Sequence, residues 1–220
     1  MLETVLRPAV FLDRDGTISH YVSYCRRPEE FRLLPGVGEA IRLLNEASLP
    51  VIVVTNQSAI GRGLLTFDML AVIHEKMRRG LKRFGARVDA VYVCPHHPDD
   101  GCACRKPGIA MLLQAARELN LSLPDSYMVG DRILDVRSGR AVGSRAILVR
   151  TGHEPEPAHG IGADYEAATL VDAVGWILEH RGSIAATSVE KSDDITMYPS
   201  RISGSHQSPV TSYREVTGNQ

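Results

Sequence analysis

Asp13 and Asp15 stand two residues apart, directly after the apolar run Ala9-Val10-Phe11-Leu12. In an extended chain, residues i and i+2 project to the same side. Both carboxylates therefore face one reaction centre if strand geometry persists through Asp13-Arg14-Asp15-Gly16-Thr17. Crowded carboxylates repel each other unless a cation or a shared proton intervenes, and Mg²⁺ is a hard ion that takes oxygen ligands. One carboxylate can then attack phosphorus while the other handles a proton. The plainer alternative is an acidic turn, since Asp-Gly is a common turn pair; the apolar strand in front of it argues for chemistry.

Further along, Thr55-Asn56-Gln57-Ser58 follows the apolar run 51–54. A hydroxyl and backbone N–H groups just past a strand can hold phosphoryl oxygens, although a helix cap or an Asx turn would use the same residues. Cys94, His96, Cys102 and Cys104 offer three thiolates and one imidazole, a closed tetrahedral set for a structural Zn²⁺ with no position left for water. His97 competes with His96, and His96 is preferred because Cys94-x-His96 mirrors Cys102-x-Cys104. Free buried thiols are the alternative. Arg105 and Lys106 come immediately after the last thiol. A zinc loop would anchor both cations at a crevice, Lys106 as a point charge and Arg105 as a bidentate clamp. Gly130-Asp131 ends another apolar run; Asp131 is either a helix cap or a metal ligand, with Asp135 supporting it from behind. Arg132 beside it can touch phosphate or pair with an acid.

These residues need a frame that brings them together. Apolar runs at 9–13, 50–55, 88–94, 127–131 and 145–151 read as strands. Amphipathic stretches at 36–48, 66–84, 109–120, 134–142 and 168–180 read as helices. In the second, Met69, Ile73, Met77 and Leu81 repeat every four residues, with Thr66 as N-cap and Gly85 as stop. Such alternation predicts an α/β fold, a parallel sheet covered on both faces. Open sheets of this class place the ligand crevice outside the carboxyl ends of the strands, where Asp13, Thr55, Arg105, Lys106 and Asp131 all fall. One domain is expected over 1–181. Residues 182–220 are Ser/Thr-rich and read as a flexible tail, with Ile195, Met197 and Tyr198 its few apolar groups.

The charge balance narrows the partners. With 25 Lys and Arg against 26 Asp and Glu, the net charge is −1, which provides no basic track for nucleic acid and no attraction to a membrane surface. No apolar run approaches the roughly 20 residues of a membrane span. Residues 1–8 carry no secretory pattern, so the expected location is cytoplasmic, where thiols are reduced and clustered cysteines favour metal over disulfides. The chain is expected to be a monomer. His20, His74, His153, His159, His180 and His206 show no partner pattern, Cys25 lacks ligand company, and Arg78, Arg79, Lys82 and Arg83 read as a solvated helix face.

Residues 13–17, together with Thr55, Lys106 and Asp131 in that order, resemble the four motifs of the haloacid dehalogenase superfamily over residues 10–151. The resemblance implies a Rossmann-like sheet with a catalytic Mg²⁺. It makes Asp13 the nucleophile, Asp15 the general acid and base, Thr55 the phosphoryl binder and Lys106 the cation. Mg²⁺ would take a carboxylate oxygen of Asp13, the backbone carbonyl of Asp15, and Asp131. Superfamily ion pumps carry Thr where this chain has Asp15, so a hydrolase is implied. Thr55–Gly63, Cys94-Pro95-His96-His97 and Cys102–Pro107 further resemble the zinc-loop phosphatases that act on D-glycero-D-manno-heptose 1,7-bisphosphate, more than their histidinol-phosphate relatives. The short interval between the first two motifs leaves no room for a large cap domain. In a capless site, specificity must come from loops, chiefly 19–27, 58–63 and the zinc loop; the expected substrate contacts are Tyr21, Val22, Ser23, Tyr24, Asn56, Gln57, Ser58, Arg105 and Arg132. Those relatives carry an Asp-x-Gly-Tyr segment where this chain reads Ser19-His20-Tyr21-Val22-Ser23-Tyr24-Cys25. Other substrates in view are histidinol phosphate and a polynucleotide 3′-phosphate. A non-enzymatic zinc-loop interaction module would leave the ordered acids unexplained.

Overall fold

The computed structural model describes residues 5–152, 162–181 and 213–216. Seven strands form one sheet: β1 (Val10–Leu12), β2 (Val51–Asn56), β3 (Ala90–Cys94), β4 (Tyr127–Gly130), β5 (Arg145–Val149), β6 (Tyr165–Ala167) and β7 (Tyr213–Val216). Their order is β6-β5-β4-β1-β2-β3-β7. The first six run parallel, and β7 lies antiparallel on β3. The helices are α1 (Val37–Glu46), α2 (Ser58–Gly61), α3 (Phe67–Lys82), α4 (Ala110–Leu119), α5 (Ile133–Ala141) and α6 (Leu170–His180).

Strands buried on both faces read as unbroken apolar runs, and their side chains alternate between two cores. Val10, Leu12, Val51, Val53, Val91, Val93 and Val129 pack against α1, α3 and α6. Phe11, Ile52, Val54, Tyr92 and Met128 pack on the other side with Met111, Leu112 and Ala115 of α4. Register brings Leu12 level with Val53 and Val129. The three central strands thus end together, and Asp13, Thr55 and Asp131 emerge at one rim.

The five expected strands and five expected helices are present, with ends displaced by one or two residues. Two short strands and one short helix were not foreseen. β6 is three residues at an edge with an exposed Glu166, too short to show a period. β7 falls in the segment read as a flexible tail; the rest of 182–220, including Ile195, Met197 and Tyr198, lies outside the described residues, as do His153, His159 and His206. Between β1 and α1 the chain forms only a loop with a short 3₁₀ turn, Pro28–Glu30; no cap domain is inserted among the described residues.

Helix α3 corrects two expectations. Its Thr66 side chain does cap the start, accepting from the Met69 N–H at 3.2 Å. Yet Met69 is exposed, and the buried stripe is Leu70, Ile73, His74, Met77 and Leu81. A strict four-residue repeat drifts off a 3.6-residue helix, so the stripe needs the i+3 steps at Leu70 and Ile73. His74, which had no partner in the sequence, is fully buried and meets Arg14 at 3.1 Å. Arg79, Lys82 and Arg83 are exposed as expected of a solvated face, while Arg78 is half-buried.

The shifted stripe makes a stability prediction. Leu70→Ala should cost about 2–5 kcal/mol. Met69→Ala should stay within about 0.5 kcal/mol. Paired denaturant titrations check this, and equal losses at the two positions would contradict the packing described.

Candidate active site

Lys106 lies at the centre of the rim. Its Nζ donates to Asp13 Oδ1 at 2.7 Å and to the Val54 carbonyl at 2.8 Å, and sits 2.6 Å from Asp135 Oδ1. Burial alone would lower its pKa, but Asp13 and Asp135 outweigh that and hold it well above the usual lysine range. The ammonium is therefore a permanent charge. Its backbone is fixed by Asn56, whose Oδ1 accepts from the Lys106 N–H at 3.0 Å and whose Nδ2 donates to the Lys106 carbonyl at 3.2 Å. Asn56, expected to meet substrate, thus has its amide committed to holding Lys106.

Asp13, Asp131 and Asp135 place carboxylate oxygens within 4.8 Å of one another. Burial raises the Asp13 pKa to about 6; Lys106 opposes the shift, and Asp135 and Asp15 reinforce it. Burial likewise carries Asp131 to about 8, with Asp13 and Asp135 adding to it. Both carboxylate oxygens of Asp131 are buried without a hydrogen-bond partner on another residue. Such groups are costly unless something polar satisfies them. Three hard oxygen donors with one lysine between them leave a deficit of positive charge, and a Mg²⁺-type ion fits that donor set. Asp135 joins this cluster more closely than its sequence position suggested: it pairs with Lys106 and accepts the Arg132 N–H at 3.1 Å. The space around Asp131 depends on Gly16 and Gly152, since a Cβ at either would come within 2.4 Å or 1.9 Å of Asp131 Oδ2.

Asp15 lines the same pocket. Its carboxylate takes Arg14 Nε at 3.1 Å and Nη2 at 2.7 Å, and Gln57 Nε2 at 2.9 Å. Gln57 Nε2 also donates to Thr55 Oγ1 at 2.9 Å. Tyr21, Val22, Ser23, Tyr24, Asn56, Gln57, Ser58, Arg105 and Arg132 line the pocket that holds Asp13, Asp15, Thr55 and Lys106. Two more residues of the loops 19–27 and 58–63 join them there. Arg62 stands 5.7 Å from the Tyr24 ring centroid, a cation–π distance. Cys25, 3 % exposed, also lines the wall. The sequence placed both in loops expected to set specificity but gave neither a role of its own. Arg105 Nη1 is buried without a hydrogen-bond partner.

The thiol cluster lies at the end of β3. Cys94 Sγ is 3.6 Å from Cys102 Sγ and from His96 Nδ1; Cys104 Sγ is 3.2 Å from His96 Nδ1 and 3.6 Å from Cys102 Sγ. Ligands at zinc distances around a tetrahedron stand roughly 3.5–3.8 Å apart, so the four atoms fit Zn²⁺. The Cys94 thiol is pushed up by its hydrogen bond with Cys104 and by burial, a crowding that a bound cation relieves. His97 is turned away, its Nδ1 accepting the Asp99 N–H at 3.3 Å.

Three comparisons bear on this arrangement. The HAD-hydrolase-like family model matches residues 103–175. The D-glycero-beta-D-manno-heptose-1,7-bisphosphate 7-phosphatase of Yersinia pestis is 42% identical over 175 residues, covering 75% of this chain and 92% of that protein. The protein of the same name from Escherichia coli (strain K12) is 38% identical, covering 75% and 91%. A crystal structure of D,D-heptose 1.7-bisphosphate phosphatase from B. bronchiseptica, complexed with magnesium and phosphate, aligns with a TM-score of 0.72 at 35% identity, over 79% of this chain and 99% of that one.

Two metal experiments follow from the geometry. Mg²⁺ should raise the melting midpoint, and by more at pH 8 than at pH 6. The cation needs ionised Asp131, which burial keeps protonated up to about pH 8; an increment independent of pH would contradict this. Metal analysis should find one zinc per chain, and Cys102→Ser should lose it with a large fall in midpoint. A chain purified without zinc, yet equally stable, would remove that metal from the account.

Proposed function

This chain belongs to the HAD-like hydrolase family, and from that premise we propose that it is a Mg²⁺-dependent phosphomonoesterase removing the 7-phosphate of D-glycero-D-manno-heptose 1,7-bisphosphate. The observation that carries the reading is that Asp13 and Asp15 line one pocket, Asp13 fixed by Lys106 and Asp15 by Arg14 and Gln57. The substrate follows from the relatives: sugar-bisphosphate phosphatases of that name match nearly their whole length here.

In the first step the Asp13 carboxylate attacks phosphorus and the bond to the ester oxygen breaks. Asp15 gives its proton to the departing alkoxide. Lys106 stabilises the charge on the phosphoryl oxygens, with the Thr55 hydroxyl beside it. In the second step water attacks the aspartyl-phosphate, Asp15 takes the water proton, and Asp13 is released with inorganic phosphate. Mg²⁺, held by Asp13, the Asp15 carbonyl and Asp131, would neutralise phosphoryl charge during both. The zinc loop is structural: it fixes the strand of chain that carries Arg105 and Lys106.

A terminal phosphate can reach Asp13 from an uncapped pocket, leaving the sugar and its second phosphate at the mouth. Arg105 lines the pocket, and its guanidinium suits that second anion. Binding energy from a remote group can orient the reacting end. Three reduced thiols suit the cytoplasm. Among the described residues no helix is long and apolar enough to cross a membrane.

The test is a substrate panel with Mg²⁺. The heptose bisphosphate should exceed histidinol phosphate and a 3′-phosphorylated oligonucleotide in kcat/KM by at least about tenfold, and Asp13→Asn should abolish turnover while the protein stays folded. Arg105→Ala should lower kcat/KM for the bisphosphate far more than for a small aryl phosphate. A reversed preference would overturn the substrate, and an active Asp13→Asn would overturn the covalent mechanism.

A further inference from the structure

Arg14 lies between the two catalytic aspartates in sequence but points away from the pocket, and its side chain is fully buried. A buried guanidinium is costly unless its donors are met. Two of its nitrogens, Nε and Nη2, clasp the two oxygens of Asp15 at 3.1 and 2.7 Å. The third, Nη1, lies 3.1 Å from Nε2 of His74, which is also fully buried, on the inner stripe of α3. Arginine has no acceptor and keeps its charge, so Nε2 of His74 must be the acceptor. The imidazole is thereby neutral, with its proton on Nδ1.

The clasp results from a local reversal of the chain. Neighbouring residues in a strand point to opposite faces, yet here Arg14 reaches Asp15. The backbone leaves the strand just after β1: Gly16 takes φ +90, and the N–H groups of Ile18 and Ser19 both donate to the Arg14 carbonyl. The turn folds the Asp15 carboxylate back over its neighbour's guanidinium. Its side chain keeps 20 % exposure toward the pocket, so one face is fixed by the protein and the other meets substrate.

We propose that His74 and Arg14 are a positioning pair for Asp15: the buried imidazole holds one arm of the guanidinium, whose other arms fix the plane of the carboxylate that exchanges the proton. A fork that meets both carboxylate oxygens fixes orientation as well as position. If His74 is removed, Nη1 loses its acceptor in a dry interior and the guanidinium must shift to find another. That shift is transmitted directly to Asp15, because the same planar group holds it. Asp13 and Asp135 are held by Lys106 and should be spared. The inference rests on the phosphatase reading above and assigns the pair only to the proton-transfer half of it.

This division can be measured. Formation of the aspartyl-phosphate from p-nitrophenyl phosphate needs no proton donor, because nitrophenolate leaves unaided. Its hydrolysis still needs Asp15 as base, and cleavage of a sugar phosphate needs Asp15 in both steps. His74→Leu should therefore lower kcat for the sugar phosphate by about tenfold or more with KM nearly unchanged. With p-nitrophenyl phosphate and Mg²⁺, acid-quenched His74→Leu should accumulate phosphoenzyme that the parent does not. His74→Gln, whose amide can accept from Nη1, should restore kcat to within about threefold. Arg14→Lys, which keeps the charge but not the fork, should reproduce the His74→Leu pattern and serves if that variant does not fold. No accumulation of phosphoenzyme from p-nitrophenyl phosphate, or a His74→Gln variant as impaired as His74→Leu, would overturn the pair and leave plain core packing. A parent that turns over neither substrate would overturn the phosphatase reading itself.

Discussion

The site depends on one buried ammonium. Lys106 is 4 % exposed, and its Nζ holds Asp13, Asp135 and the last carbonyl but two of β2 together. Without a cation, the acids ending β1 and following β4 could not share a rim. A single lysine does not balance three carboxylates; burial first, and then the neighbouring acids, raise the pKa values of Asp13 and Asp131. The surplus of carboxylates is the physical reason a divalent ion suits this end of the sheet.

Everything near Lys106 serves to hold it. The Asn56 side-chain amide bonds both the N–H and the carbonyl of Lys106, so the β2 end and the segment after the cysteine cluster are joined by side-chain-to-backbone hydrogen bonds. The cysteine cluster closes the loop that precedes it, a segment with too little apolar surface to order itself. A second cation plays the matching part: Arg14 holds Asp15 as Lys106 holds Asp13. The two carboxylates stand two residues apart in sequence, yet each has its own buried positive partner.

The sequence made the frame legible because the frame is repetitive. Unbroken apolar strands such as 51–54 and the ordered acids at their ends carry their meaning locally. The Cys/His cluster was legible from spacing alone, down to the choice of His96 as the residue that joins it. What stayed hidden was long-range. Nothing near His74 in sequence indicates Arg14, sixty residues away. Asp135 looked like support for Asp131, and only the fold shows it paired with Lys106. Asn56 and Gln57 looked like substrate contacts because they follow Thr55, but their amides are engaged with Lys106 and Asp15. Edge strands were missed for a different reason: three residues of β6 carry no pattern, and β7 has its meaning only in pairing with β3.

The central claim is that Lys106 creates the nucleophilic site. The most direct measurement is the single-turnover rate of aspartyl-phosphate formation in Lys106→Gln, with zinc content and melting midpoint recorded alongside. The account predicts a fall of about 10²–10³-fold, the usual consequence of removing a preorganised charge-stabilising donor, with zinc retained and the fold intact. A rate within a few-fold of the parent, in a folded zinc-loaded protein, would contradict it.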